Sequence, residues 1–187
     1  AEHQTIKFIP DVAFVLDTET TNLAILEQLE QHKNHGNILV GFNISGLLYN
    51  NGHQANEKFG LKADYRELVN KIIRLFLANP NTIIVLVPHV FSDKSQLESD
   101  PQACYLVHEQ LKSHGSDRLL LVTDILNHKQ VKYLIGRCDF FLGARMHACI
   151  GAISQHVPAL GMAYSGKFKG VFDSVGIGDS IIDLRTE

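Results

Sequence analysis

Apolar positions along this chain come in two alternating rhythms. Mainly apolar runs occupy residues 37–42 (NILVGF), 82–87 (TIIVLV), 118–122, 139–142 and 159–163. Runs of four to six such residues have the length and composition of strands buried on both faces. Between them, apolar residues recur at helical spacing. Residues 19–32 place Leu23, Leu26 and Leu29 on one stripe with Ile25 beside it, and residues 65–77 do the same with Leu68, Ile72, Leu75 and Phe76 before stopping at Asn79-Pro80. Asp100-Pro101 reads as a cap followed by proline at the first helical position, opening a helix to about Ser113. Further helices are expected over 129–137, 146–155 and 167–174, the last of them. At the start, residues 6–9 read as a short strand, which residues 11–16 continue or turn away from. Residues 50–60 (NNGHQANEKFG) are polar and glycine-rich, and read as a mobile surface loop ahead of a functional one.

Strands alternating with helices at this spacing predict an α/β domain: a Rossmann-like three-layer fold with a mainly parallel sheet. The length of 187 residues suits one domain. No repeat or low-complexity stretch interrupts the pattern.

Composition narrows the classes of function. The chain is 45% hydrophobic and 20% charged, with a net charge of -3 and both signs spread along it. That argues against a nucleic-acid partner. No apolar run approaches the roughly 20 residues of a transmembrane segment. The opening AEHQTIKFIP has neither a signal peptide nor an initiator Met, so the chain is expected to be part of a longer one. Cys104, Cys138 and Cys149 are an odd, widely spaced set without a CxxC pair, and reduced thiols in a cytoplasmic protein are the expectation. His32 and His35 lack partner ligands, so no metal is expected. With neither a GxGxxG nor a P-loop pattern, no nucleotide cofactor is expected either.

Parallel sheets bind ligands at the carboxyl ends of their strands. Four loops leave those ends with polar residues: Asn43-Ile44-Ser45-Gly46, His89, Arg145 to His147, and Tyr164 to Lys167. What they share is donors for an anion. Arg145 matches a carboxylate or phosphate with two parallel hydrogen bonds. The amides of a helix starting at Met146 would add to it, and His147 can donate a hydrogen bond or a proton near neutral pH. Each residue also has a plainer reading. Arg145 could be an ion-pair partner, His147 structural, Asn43 and Ser45 turn-formers, and Lys167 a solvated lysine beside Lys169. Convergence on one sheet edge favours the site.

The run GARMHACIGAISQHVPALGMAYSGKFKG resembles the polysaccharide pyruvyl transferase family. Its elements here are Arg145-Met146-His147, Val157-Pro158 and Tyr164-Ser165-Gly166-Lys167. Upstream, Gly41, Asn43 and Ser45 in GFNIS, then Val87-Pro88-His89 and Asp100, fit as well. Pro10, Asp11, Ala13 and Phe14 resemble the segment where the family's first domain hands over to its second. The resemblance implies the C-terminal half of a two-domain GT-B-like fold. It also implies phosphoenolpyruvate as donor and a saccharide acceptor, free or lipid-linked, with a pyruvyl ketal and phosphate as products. The implied setting is bacterial exopolysaccharide synthesis, in the cytoplasm or peripheral at the inner face of the membrane. Arg145 and His147 take the catalytic roles, with Asn43, Ser45, Gly46, His89, Tyr164 and Lys167 as substrate-binding residues and the chain's own N-terminal domain as partner. Alternatives are a GT-B nucleotide-sugar glycosyltransferase or epimerase, and a non-catalytic anion- or glycan-binding domain. The first usually needs a glutamate in the helix after Arg145, and residues 146–155 contain no acidic residue.

Overall fold

A computed structural model describes residues 9–92, 97–114 and 117–186. Within these residues, six strands form one parallel sheet: β1 (Ile38–Asn43), β2 (Thr82–Leu86), β3 (Leu119–Leu121), β4 (Phe140–Gly143), β5 (Ala159–Ala163) and β6 (Ile181–Asp183). Their spatial order is β3-β2-β1-β4-β5-β6, with every neighbouring pair parallel. The chain therefore builds outward in one direction from β1 and then, from β4, in the other. β1 and β4 meet at the switch point, where the crevice of a doubly wound sheet opens.

Among the described residues, eight α-helices cover the two faces: α1 (Ala24–Asn34), α2 (Gly46–Tyr49), α3 (His53–Phe59), α4 (Tyr65–Leu77), α5 (Asp100–Leu111), α6 (His128–Ile135), α7 (Met146–Ile153) and α8 (Lys167–Asp173). Alternation along the strands divides the core between those faces. Ile83 and Val85 of β2, with Val87 just beyond it, pack with α1, α6, α7 and α8, whereas Ile84 and Leu86 pack with α2 to α5. The result is the Rossmann-like three-layer α/β fold that the pattern predicts.

Several boundaries differ from expectation, each for a local reason. The strand proposed for residues 6–9 lies outside the described residues except for Ile9, which is exposed and not in a strand. Residues 11–16 turn away: Val12–Val15 is a 3-10 helix whose N-cap, Asp11, accepts the Ala13 amide at 2.9 Å. The helix expected from residue 19 starts at Ala24, because Glu19 reaches across to the Asn127 and Gln130 side chains. In α4 the buried row is Tyr65, Val69, Ile73 and Leu77, while Leu75 is exposed.

The largest correction concerns residues 50–60, read as a loop, of which 53–59 form a helix flanked by turns. Gly52 enters α3 at φ 52° and Gly60 closes it in the left-handed region at φ 65°, so these glycines mark its ends. Only Ala55 and Asn56 are buried in α3, so there is no apolar period to read. Asp100 is not the cap of α5 either. Ser99 caps it, Oγ accepting the Gln102 amide at 3.4 Å, and the Asp100 carboxylate turns inward instead.

Candidate functional site

The carboxyl ends of β1, β2 and β4 are tied together beneath the surface by two side chains. Asn43 ends β1 and is wholly buried. Its Nδ2 donates to the Val87 carbonyl at 3.0 Å and its Oδ1 accepts the Arg145 amide at 3.0 Å. One side chain thus joins the exits of β2 and β4 across β1. Asp100, also wholly buried, is the second tie. Its Oδ1 accepts the Gly46 amide at 2.7 Å and Arg145 Nη2 at 2.8 Å. Its Oδ2 accepts the Val90 amide at 3.0 Å, with the His89 amide and Asn43 Nδ2 both at 3.2 Å.

Arg145 therefore does grip an anion, and that anion belongs to the protein. Nε adds a contact to Asp100 at 3.2 Å, and Nη2 also donates to the Glu98 carbonyl at 3.0 Å. The Arg145 side chain is 12% exposed and that of Asp100 is 0% exposed, so this is a buried pair rather than a surface one. Burial disfavours the Arg145 charge, but the adjoining carboxylate outweighs it and holds the guanidinium more firmly protonated than usual.

Above these ties lies a cleft of about 230 Å³, whose polar wall is His89, Arg145, His147, Tyr164, Ser165 and Lys167. The loops after β2, β4 and β5 supply it, as strand-end reasoning expects. Arg145 is the N-cap of α7, and its carbonyl takes the amides of Ala148 and Cys149, so Met146 and His147 keep the unused first-turn amides. Tyr164 is steadied edge-on by Phe59 of α3, with ring centroids 5.1 Å apart.

The two histidines of the wall differ. Burial pushes His89 down to about 4, against the attraction of Asp100 and helped by the charges of His147 and Arg145. It is neutral at pH 7. His147 is more exposed, at 55% of its side chain, and its Nε2 stands 3.7 Å from Asp11 Oδ2. Both imidazoles also border a second cleft of about 240 Å³, with His128 and Lys132 among its other lining residues. Lys132 ties down the Asp11–Leu16 segment by donating to the carbonyls of Ala13 and Leu16, and burial pulls its pKa below the usual lysine value.

Of the eight sequence candidates, the structure brings five into one cleft: His89, Arg145, His147, Tyr164 and Lys167. Asn43, Ser45 and Gly46 lie beneath it instead. The Ser45 amide donates to Tyr65 Oη at 3.2 Å, while its Oγ has no partner among the described residues. At Gly46 an added Cβ would stand 2.3 Å from the Ser99 carbonyl oxygen. Asp100 fitted the family pattern in sequence but read as a helix cap, which masked its central part in the site, although Ser99 before it was an available cap. Asp11 gave no signal of its proximity to His147, 136 positions away in sequence.

Among the described residues no group of three or more His, Cys, Asp or Glu is arranged to hold a metal. Cys104, Cys138 and Cys149 are buried, and desolvation pushes Cys138 and Cys149 up to about 12, so they are protonated and unreactive at neutral pH. No helix among the described residues is long and apolar enough to cross a membrane.

The sequence matches the family described as polysaccharide pyruvyl transferase over residues 2–166 of its 187. No solved structure matches the chain significantly.

Proposed function

Because the chain belongs to the polysaccharide pyruvyl transferase family, whose members transfer pyruvyl groups onto polysaccharide, we propose that the Arg145–His147 cleft binds phosphoenolpyruvate as the donor. The single observation that supports this most is the lining of the cleft. A cleft of about 230 Å³ has room for a small molecule. Its wall offers N–H donors of Arg145, first-turn amides of α7, the Tyr164 and Ser165 hydroxyls and the Lys167 ammonium. A molecule with one carboxylate and one phosphate needs such a wall.

The reaction follows from donor chemistry. Protonation of the methylene carbon of phosphoenolpyruvate makes its C2 a cation-like centre. A sugar hydroxyl attacks C2 and loses its proton, phosphate departs, and a second hydroxyl of the same sugar closes the ketal with loss of its own proton. His147 supplies the first proton, being the exposed imidazole at the mouth of α7. His89, neutral at pH 7, can accept a hydrogen bond but adds no charge to the wall. Lys167, which makes no ion pair among the described residues, brings the uncompensated cation.

The acceptor is a cell-surface saccharide or its lipid-linked precursor, and the domain is the C-terminal half of a GT-B-like enzyme. In support, Val12 and Val15 are 73% and 82% exposed on the Asp11–Leu16 segment beside the site, an apolar face suited to a further domain.

The test is phosphate release from phosphoenolpyruvate with candidate glycans, followed for parent, Arg145→Lys and His147→Gln. Lysine keeps the charge at 145 but cannot span Asp100 and Glu98, so donor affinity should fall at least about tenfold. Parent-like kinetics in both variants would remove the cleft from the reaction.

A further inference from the structure

Asp100 makes no contact with the cleft, yet its hydrogen-bond partners do. The carboxylate receives groups from four separate pieces of chain: Asn43 at the end of β1, Gly46 at the start of α2, His89 and Val90 after β2, and Arg145 after β4. Three of these, His89, Val90 and Arg145, line the cleft. Stability alone explains this poorly, because a buried ion pair contributes little over well-packed apolar groups of the same shape. What it does supply is position. Nε and Nη2 of Arg145 are both held by Asp100, so the plane of the guanidinium is fixed before any ligand arrives.

We infer that Asp100 is the positioning residue of the donor site, acting on the ligand through Arg145 and the His89–Val90 backbone. This rests on the cleft being the donor site. It also revises the electrostatics. The Arg145 charge is compensated internally, so Arg145 contributes directed N–H groups rather than net positive potential, which is left to Lys167.

A double-mutant cycle tests the inference on the full chain, using Asp100→Asn, Arg145→Lys and the pair. The measured quantities are KM for phosphoenolpyruvate, KM for the glycan acceptor, affinity for inorganic phosphate by NMR titration, and the unfolding midpoint. If Asp100 acts through Arg145, each single variant raises donor KM and weakens phosphate binding by about tenfold or more, and acceptor KM stays within about twofold. The double variant then loses no more than the worse single one, because both remove the same arrangement. Where Asp100→Asn does not fold, Asp100→Glu takes its place, keeping the charge but displacing Arg145 by a methylene. Losses that multiply in the double variant overturn the inference. So does a rise in both KM values that merely follows the unfolding midpoint. A parent that turns over no phosphoenolpyruvate but binds phosphate with the same non-additive pattern keeps Asp100 as the positioning residue and removes the donor. Binding of neither overturns both.

Discussion

His89 and His147 border the same two clefts, and their surroundings give them different work. His147 is open to solvent at the mouth of α7. If it protonates the donor, His147→Gln should lower kcat by about a hundredfold or more at saturating donor, with donor KM changed only a few fold. If it only holds the departing phosphate, affinity falls and turnover at saturation survives. His89 makes a separate prediction about stability. Its pKa is about 4 in the fold, below the 6.5 of an unfolded histidine. In that window the unfolded chain binds the proton more readily, so stability is full above about pH 6.5 and is lost as pH falls toward 4. The loss is on the order of 3 kcal/mol at most. Thermal unfolding of parent and His89→Gln from pH 7 to 4 should show the parent losing more, and parallel curves would mean that the burial of His89 has no such cost.

At the level of elements, the site depends on a close approach between the start of α2 and the start of α5. Gly46 permits it. A Cβ there would stand 2.3 Å from the Ser99 carbonyl oxygen, against backbone that cannot swing aside. Gly46→Ala should therefore destabilise by about 1–3 kcal/mol, from steric strain in a packed interior. Gly170 is the opposing control. It lies inside α8, and a methyl group added there would meet nothing within 4 Å, so Gly170→Ala should stabilise by about 0.5–1 kcal/mol through helix propensity. Denaturant midpoints moving in the same direction would refute the packing argument. Elements with their own apolar rhythm were legible in sequence: β2 as a continuous run, α4 as a helix over residues 65–77 stopping before Asn79-Pro80. Those held by their surroundings were not. α3 buries only two residues, and β6 is a three-residue edge strand with half-buried side chains. The site divided the same way. The cleft wall followed from which residues leave the strand ends, but the inward turn of Asp100 depended on Ser99 taking over as cap.

For the whole molecule, a ligand in this cleft would touch the loops after β2, β4 and β5, of which the first two are joined to each other through the buried Asn43 and Asp100 beneath it. Binding to that arrangement alone, and not to the unfolded chain, adds free energy by mass action. Phosphoenolpyruvate at a hundred times its Kd should raise unfolding free energy by about 2.7 kcal/mol. A chain of this size gains roughly 2–4 °C per kcal/mol, so the midpoint should rise by about 5–11 °C. Inorganic phosphate should give part of the shift, because it fills the anion contacts without the carboxylate. Nucleotide sugars should give none, since α7 has no acidic residue to hold a ribose. A shift produced by a nucleotide sugar and absent with phosphoenolpyruvate would reassign the cleft to glycosyl transfer. A shift with phosphoenolpyruvate that survives Lys167→Ala undiminished would show that the uncompensated lysine is not what draws the anion in.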